Sequence, residues 1–175
     1  MTIVVDVLRR AGVDVVLAGV DGEGPARCSR GVVLVPDRAL ATCAQETYAA
    51  VLLPGGAEGA RRLAASELVG QLVRAQAAAG RLVGAICAAP AAFAAIGVGA
   101  GVAMTCHPSV RDAVATHADH RDARVVSDGA FLTSQGPGTA FDFALAVAAR
   151  LLPGADIAAL AATMLLPAGT VLPAR

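Results

Sequence analysis

The stretch RLVGAICAAPAAFAAIG, Arg81 to Gly97, decides how this chain folds. Its first seven residues form an apolar run of the kind that makes a buried strand, the alanine-rich remainder suits a helix, and Cys87 stands where one gives way to the other. A strand that turns sharply into a helix leaves the turn residue at the C-terminal edge of a sheet, where ligands bind in doubly wound domains. Hydrolases use the same device to expose a serine. Gly84, Ala85, Ala88 and Ala89 let the backbone turn tightly, and Pro90, which lacks an amide hydrogen, is tolerated in a first helical turn. The first amides of that helix favour a thiolate, which can attack a carbonyl or react with peroxide. A buried cysteine that only fills space is the competing explanation.

Working outward, further strand-like runs recur at residues 13–19, 31–36, 49–56 and 101–106 and in the pair within 123–134. Helical patterns lie between several of them. ASELVGQLVRAQAAAG begins with Ser66 as an N-cap and stops at Gly80; PSVRDAVATHA and GTAFDFALAVAARLLPG supply two more, and ADIAALAATML precedes a proline-containing tail. Apolar strands alternating with helices predict an α/β fold, a mostly parallel sheet covered on both faces. Without an internal repeat or linker, the expectation is one domain over 1–175. The opening MTIVVDVLRRAG reads as a helix that runs into the strand at 13–19.

Fourteen basic residues balance fourteen acidic ones, so no large electrostatic footprint points to a nucleic acid or an anionic membrane. Hydrophobic residues make up 56% of the chain, but no uninterrupted apolar run reaches the ~18 residues a membrane-spanning helix needs. Asp6, Arg9 and Arg10 interrupt the first apolar run, which argues against a secretion signal and for a cytoplasmic protein. Cys28, Cys43, Cys87 and Cys106 show no zinc-ligand spacing, so no metal is expected and free thiols are the default. The absence of Trp and an aromatic content of 3% argue against base stacking.

Pro54-Gly55-Gly56 ends a strand with backbone amides suited to an oxyanion hole, although an ordinary strand-end turn has the same composition. His107, His117 and His120 are the candidate bases. His107, before Pro108, also suits a capping role, and the other two lie in the polar stretch THADHRDAR. Cys106 reads as strand filler, and Cys28 and Cys43 as loop or strand-edge thiols. Arg10 and Arg30 suit anion binding or a subunit contact, or simple exposure.

Taken together, VDVLRRAGVDVVLAGVDG, CSRGVVLVPD, VLLPGG, GAICAAP, THADHRDARVVSDG and LTSQGPGTAFDFAL resemble the ThiJ/PfpI superfamily, in particular its Parkinson-disease-associated protein deglycase branch. The segments keep family order over nearly the whole chain. The resemblance implies a flavodoxin-like fold, a homodimer, Cys87 as the reactive, oxidation-sensitive cysteine, His117 as the nearby histidine, Gly56 and the Ala88 amide as the oxyanion site, and Arg10 and Arg30 near the dimer contact. It further implies cofactor-free conversion of methylglyoxal or glyoxal to a hydroxy acid and removal of early glyoxal adducts from proteins and nucleotides. The resemblance also leads one to expect a strand and an acidic proton shuttle ahead of the first helix, and neither has a counterpart in this sequence. Its neighbours should then show a gap of ~10 Å, a direct re-pairing, or marginal stability. A redox-responsive chaperone or interaction protein and a cysteine peptidase are the competing functions.

Overall fold

The computed structural model describes residues 1–167 and 170; the rest of the 1–175 range, including the end of the proline-containing tail, lies outside the described residues. Helix α1 (Thr2–Arg10) leads into β1 (Ala18–Gly19), the ribbon β2 (Ala26–Arg27) and β3 (Val33–Leu34), and β4 (Arg38–Ala39). Helix α2 (Leu40–Cys43) precedes β5 (Ala50–Leu53), and α3 (Ala57–Ala65) and α4 (Glu67–Ala78) lead to β6 (Leu82–Ile86). A 3-10 turn at Ala89–Ala91 and α5 (Ala92–Ile96) follow, then β7 (Ala103–Met104), a second such turn at Pro108–Val110, α6 (Arg111–Ala115) and β8 (Asp119–His120). The hairpin of β9 (Val125–Asp128) and β10 (Phe131–Ser134), a turn at Pro137–Thr139, α7 (Ala140–Leu151) and α8 (Ile157–Thr163) complete the order.

The central sheet runs β5-β6-β10-β9, with β5, β6 and β10 parallel and β9 antiparallel at the edge. All five residues of β6 are buried, and its side chains alternate between two cores, as the period of a strand requires. Val83 and Ala85 join Leu63 of α3, Val69 and Val73 of α4 and Phe93 of α5. Leu82 and Ile86 join Val4, Val7 and Leu8 of α1 and Leu145 and Ala148 of α7 on the other face. A side chain at Gly84 would meet Leu52 Cδ2 at 2.5 Å and Phe143 Cζ at 3.0 Å, so the strand's one glycine is where α7 presses closest. Ser66 caps α4 as expected, its Oγ accepting from Val69 N–H at 3.4 Å.

The mostly parallel sheet with helices on both faces is the expected α/β architecture. The apolar runs at 13–19, 31–36 and 101–106 shrink to strands of two residues each, because an apolar run becomes ladder only where a neighbouring backbone lies alongside. The run at 13–19 contributes Ala18–Gly19 alone, and just before it the Leu17 amide donates to the Asp37 carboxylate at 2.8 Å instead of to a strand. Helix α3 was not anticipated, although the spacing of Ala60 and Leu63, its two buried residues, was visible.

At the N-terminal side of the sheet the structure shows the expected gap rather than a direct re-pairing. Among the described residues β1 pairs only with β4, and β5 only with β6. Side chains close what backbone does not: Val16, Ala18 and Val51 pack against one core, and Val13, Val15, Ala50 and Leu52 against the other. Contacts of this kind exclude water less completely than a ladder does, so the strands on either side should open locally before the centre does. Amide hydrogen exchange is expected to be at least about 100-fold faster at Val15, Val16 and Ala18 than at Val83–Ile86. Equal protection of the two segments would count against the open edge.

Candidate active site

Cys87 follows β6 directly and has φ of +67°, a left-handed conformation disfavoured for a residue with a Cβ by roughly 1–2 kcal/mol. Two hydrogen bonds hold it there. Its amide donates to Ser134 O at the end of β10 (2.9 Å), and its carbonyl accepts from His107 N–H beyond β7 (2.8 Å). Ser134 is itself fixed: its hydroxyl donates to Arg124 O at 2.8 Å and lies 2.6 Å from Thr139 Oγ1. Arg124 in turn bonds the buried Asp142 carboxylate at 2.6 Å and Gly138 O at 2.8 Å. The thiol's turn therefore rests on a polar network reaching from the β9–β10 hairpin to the first turn of α7.

Gly55 comes so close to this turn that a Cβ on it would lie 2.5 Å from Cys87 Cβ, 2.8 Å from Ile86 O and 3.2 Å from the Sγ. Gly56, with φ of +92°, caps α3 without a side-chain hydrogen bond. The N–H groups of Gly56 and Ala88 take no part in the hydrogen bonds of the turns that present them. The half-buried Cys87 side chain thus packs against Gly55, and the residues next in the chain to that contact, Gly56 and Ala88, carry N–H groups without a hydrogen-bond partner among the described residues, donors of the kind an oxyanion site needs. Of the candidate site residues, the structure packs Gly55 against Cys87, with Gly56 and Ala88 adjoining them in the chain.

It does not bring His117 to them. Ala103 N–H bonds Asp128 Oδ2 and Thr105 N–H bonds Thr133 Oγ1, so β7 runs parallel to β10, and β8 runs parallel to β7. A residue after β7 therefore lies at the Cys87 end of the sheet and a residue before β8 at the far end. His117 precedes β8: its carbonyl accepts from Gly101 N–H at 2.9 Å and its Nε2 donates to Val98 O at 2.6 Å. His107 follows β7 and is the histidine beside the thiol. Its ring also caps the following turn, Nδ1 accepting from Ser109 N–H at 3.2 Å and lying 2.8 Å from Ser109 Oγ, while Nε2 has no hydrogen-bond partner among the described residues. Counting back from ARVVSDG could not reveal this, because strand direction and not spacing decides which histidine reaches the turn.

Arg10 is exposed and paired with Asp6 at 2.9 Å; Arg30 is exposed at φ of +64° in the turn Ser29–Gly31. Ser29 is a residue the sequence did not single out. Its Oγ lies 4.0 Å from where a Gly56 side chain would begin, which places a hydroxyl without a hydrogen-bond partner among the described residues beside the candidate oxyanion site. Cys28 is exposed, but Cys43 is buried in α2 rather than in a loop, its thiol directed to Ala39 O at 3.4 Å. Cys106 is buried as expected. Burial pushes its pKa up to about 11, opposed by Arg111 and aided by the nearby Cys87. No group of three or more His, Cys, Asp or Glu side chains converges among the described residues.

A left-handed cysteine in the turn that follows a buried parallel strand, within a sheet covered by helices on both faces, defines an α/β protein with a cysteine at the C-terminal edge of its sheet. Residues 1–150 match the model of the DJ-1/PfpI family, and the chain belongs to that family. Protein dj-1beta of Drosophila melanogaster is 44% identical over 150 residues, covering 85% of this chain and 80% of that protein. The Parkinson disease protein 7 homolog of Danio rerio is 43% identical over 158 residues, covering 89% and 83%. The crystal structure of Drosophila DJ-1beta superposes with a TM-score of 0.92 at 41% identity, over 95% of this chain and 90% of that one.

Two outcomes follow from this geometry. Gly55→Ala should push the Cys87 turn aside, slowing its alkylation by iodoacetamide at least about tenfold and lowering Tm, since overpacking a tight contact costs about 1–3 kcal/mol; an unchanged rate would show that the close approach does not hold the thiol. Between the ordinary thiol value of 9.0 and the raised value of about 11, the unfolded chain loses a proton that folded Cys106 keeps. Folding stability should then fall as pH rises through that window. Thermal melts of Cys106→Ala should show a shallower alkaline slope.

Proposed function

We propose that this protein converts methylglyoxal and glyoxal, without a cofactor, to the corresponding 2-hydroxy acids, and acts on their early adducts with proteins and nucleotides. The observation that carries this is the strained, half-buried Cys87 packed against Gly55, with the N–H groups of the adjoining Gly56 and Ala88 unbonded among the described residues. A relative supports it: the protein named glutathione-independent glyoxalase DJR-1.2 of Caenorhabditis elegans is 40% identical over 148 residues, covering 83% of this chain and 77% of that protein.

In this mechanism the Cys87 thiolate adds to the aldehyde carbon, and the oxygen of the resulting hemithioacetal is held by the two amides. The hydrogen on that carbon leaves as a proton and one returns to the neighbouring carbon, converting the hemithioacetal to a thioester. Water then hydrolyses the thioester, releasing the hydroxy acid and restoring the thiol, so that R–CO–CHO and H₂O give R–CHOH–COOH with no net oxidation. His107, with its Nε2 unengaged, is the histidine whose position suits the proton transfers. Oxidation of Cys87 to a sulfinic acid by peroxide ends turnover. The exposed Val32, Val33 and Val35 beside Arg30 support a homodimer through the β2–β3 ribbon.

Lactate formed from methylglyoxal tests the reading. Cys87→Ser should abolish it, His107→Asn should reduce kcat by about 10²–10⁴, and His117→Asn should leave it near wild type. Lactate from Cys87→Ser equal to that from wild type removes the enzyme reading, leaving the chaperone and peptidase alternatives to refolding and peptide-cleavage assays.

A further inference from the structure

Beside the candidate oxyanion site lies an open cavity of ≈ 200 Å³ lined mainly by alanines. Ala57, Ala60 and Ala64 line it from α3, and Ala88, Ala91 and Ala92 from the turn and helix that follow Cys87. Val110 and Arg61 complete the lining. Ala60, Ala88 and Ala92 are buried and form the floor. The cavity exists because two facing surfaces carry side chains too short to meet.

An apolar hollow that nothing fills forfeits dispersion contacts on both walls. This one holds roughly seven waters' worth of volume at about 30 Å³ each, and its walls give water few polar partners. The single charged group in its lining, Arg61, is committed to Glu58 through two hydrogen bonds of 2.8 Å. It offers no unmatched charge to an anionic group. The position of the cavity matters as much as its lining. Ala88 supplies both an oxyanion N–H and part of the wall, and Ala57 follows Gly56 directly. Ala88 also follows Cys87 directly, so the hollow and the thiol meet at one residue.

We propose that this cavity is a substituent pocket that selects 2-oxoaldehydes carrying an aryl or branched-alkyl group over those carrying a methyl. The proposal rests on the function proposed above and adds the substrate class to it. A methyl group is too small to reach the alanine walls, whereas a phenyl ring replaces the missing contacts on both sides.

Two measurements test it. In the first, wild type should show a kcat/KM for phenylglyoxal at least about tenfold above that for methylglyoxal, and Ala91→Leu or Ala64→Leu, which fill the hollow from opposite walls, should lower that ratio at least about tenfold. Equal values for the two aldehydes in wild type, or a ratio unmoved by both substitutions, overturns the pocket. The second does not need turnover. With ¹³C-methyl-labelled alanine, the product analogue mandelate should shift the Ala64, Ala91 and Ala92 methyl resonances of the wild-type protein, lactate should leave them in place, and Ala91→Leu should abolish the mandelate shifts. Mandelate shifts without conversion of either aldehyde would uphold the pocket and remove the enzyme. Conversion of methylglyoxal without mandelate shifts would do the reverse.

Discussion

Two hydrogen bonds hold Cys87 in a conformation that its own side chain disfavours, and the site is organised around them. One comes from the end of β10 and the other from the residue beyond β7, so the thiol is referenced to two segments distant in sequence. An amide and a carbonyl at the head of a helix would otherwise be free to rotate together. Held at both ends, the peptide can point its side chain in only one way, over the gap left by the missing Cβ of Gly55. Strain at a reactive residue persists when the surrounding structure over-determines it. Here the determination extends through Ser134 and Arg124 to the buried carboxylate of Asp142, at the start of the helix that packs beneath the sheet.

The small residues around the thiol have a second consequence. Glycine at 55 and 56 and alanine at 57, 60, 88, 91 and 92 bring backbone close to the sulfur and leave space beyond it. The same choice of side chain supplies the open amides and the adjoining hollow, so the candidate oxyanion site and the hollow share a wall. Larger residues would stabilise the contact between α3 and α5 by filling it. A chain that keeps methyl groups on both faces gives up that packing and retains room beside the reactive sulfur.

How much of this could be read from the sequence depended on whether the information was local. The turn at Cys87 was legible because a strand-like run, a thiol and small residues stand side by side, and the Ser66 cap was legible for the same reason. The alternation of buried runs with helical ones carried the α/β architecture. What escaped was set by partners far along the chain. His107 and His117 are both plausible bases by composition, and only the parallel direction of β7 and β8 assigns one to the thiol and the other to Val98. Ser29 sits in a turn with no periodic pattern, so its approach to Gly56 had no local signal. Apolar runs at 13–19 and 101–106 overstated their strands, because hydrophobicity marks burial while a ladder needs a neighbouring backbone.

The interruption between β1 and β5 bears on the site less than its place in the sheet suggests. Cys87, Gly55, Gly56 and His107 follow β6, β5 or β7, and Ser134 ends β10; these strands stand together on one side of it. Across the gap, α1 reaches the same core as β6 by packing Val4, Val7 and Leu8 against α7 and not by strand pairing. The helix is therefore anchored through apolar contact that does not require a continuous ladder beneath it. Only Ser29 belongs to the far side, in the segment between β2 and β3. An opening of the β1–β4 unit would withdraw that hydroxyl from Gly56 while leaving the clamp on Cys87 in place, so local motion at the gap would act on what the thiol binds before it acts on how the thiol is held.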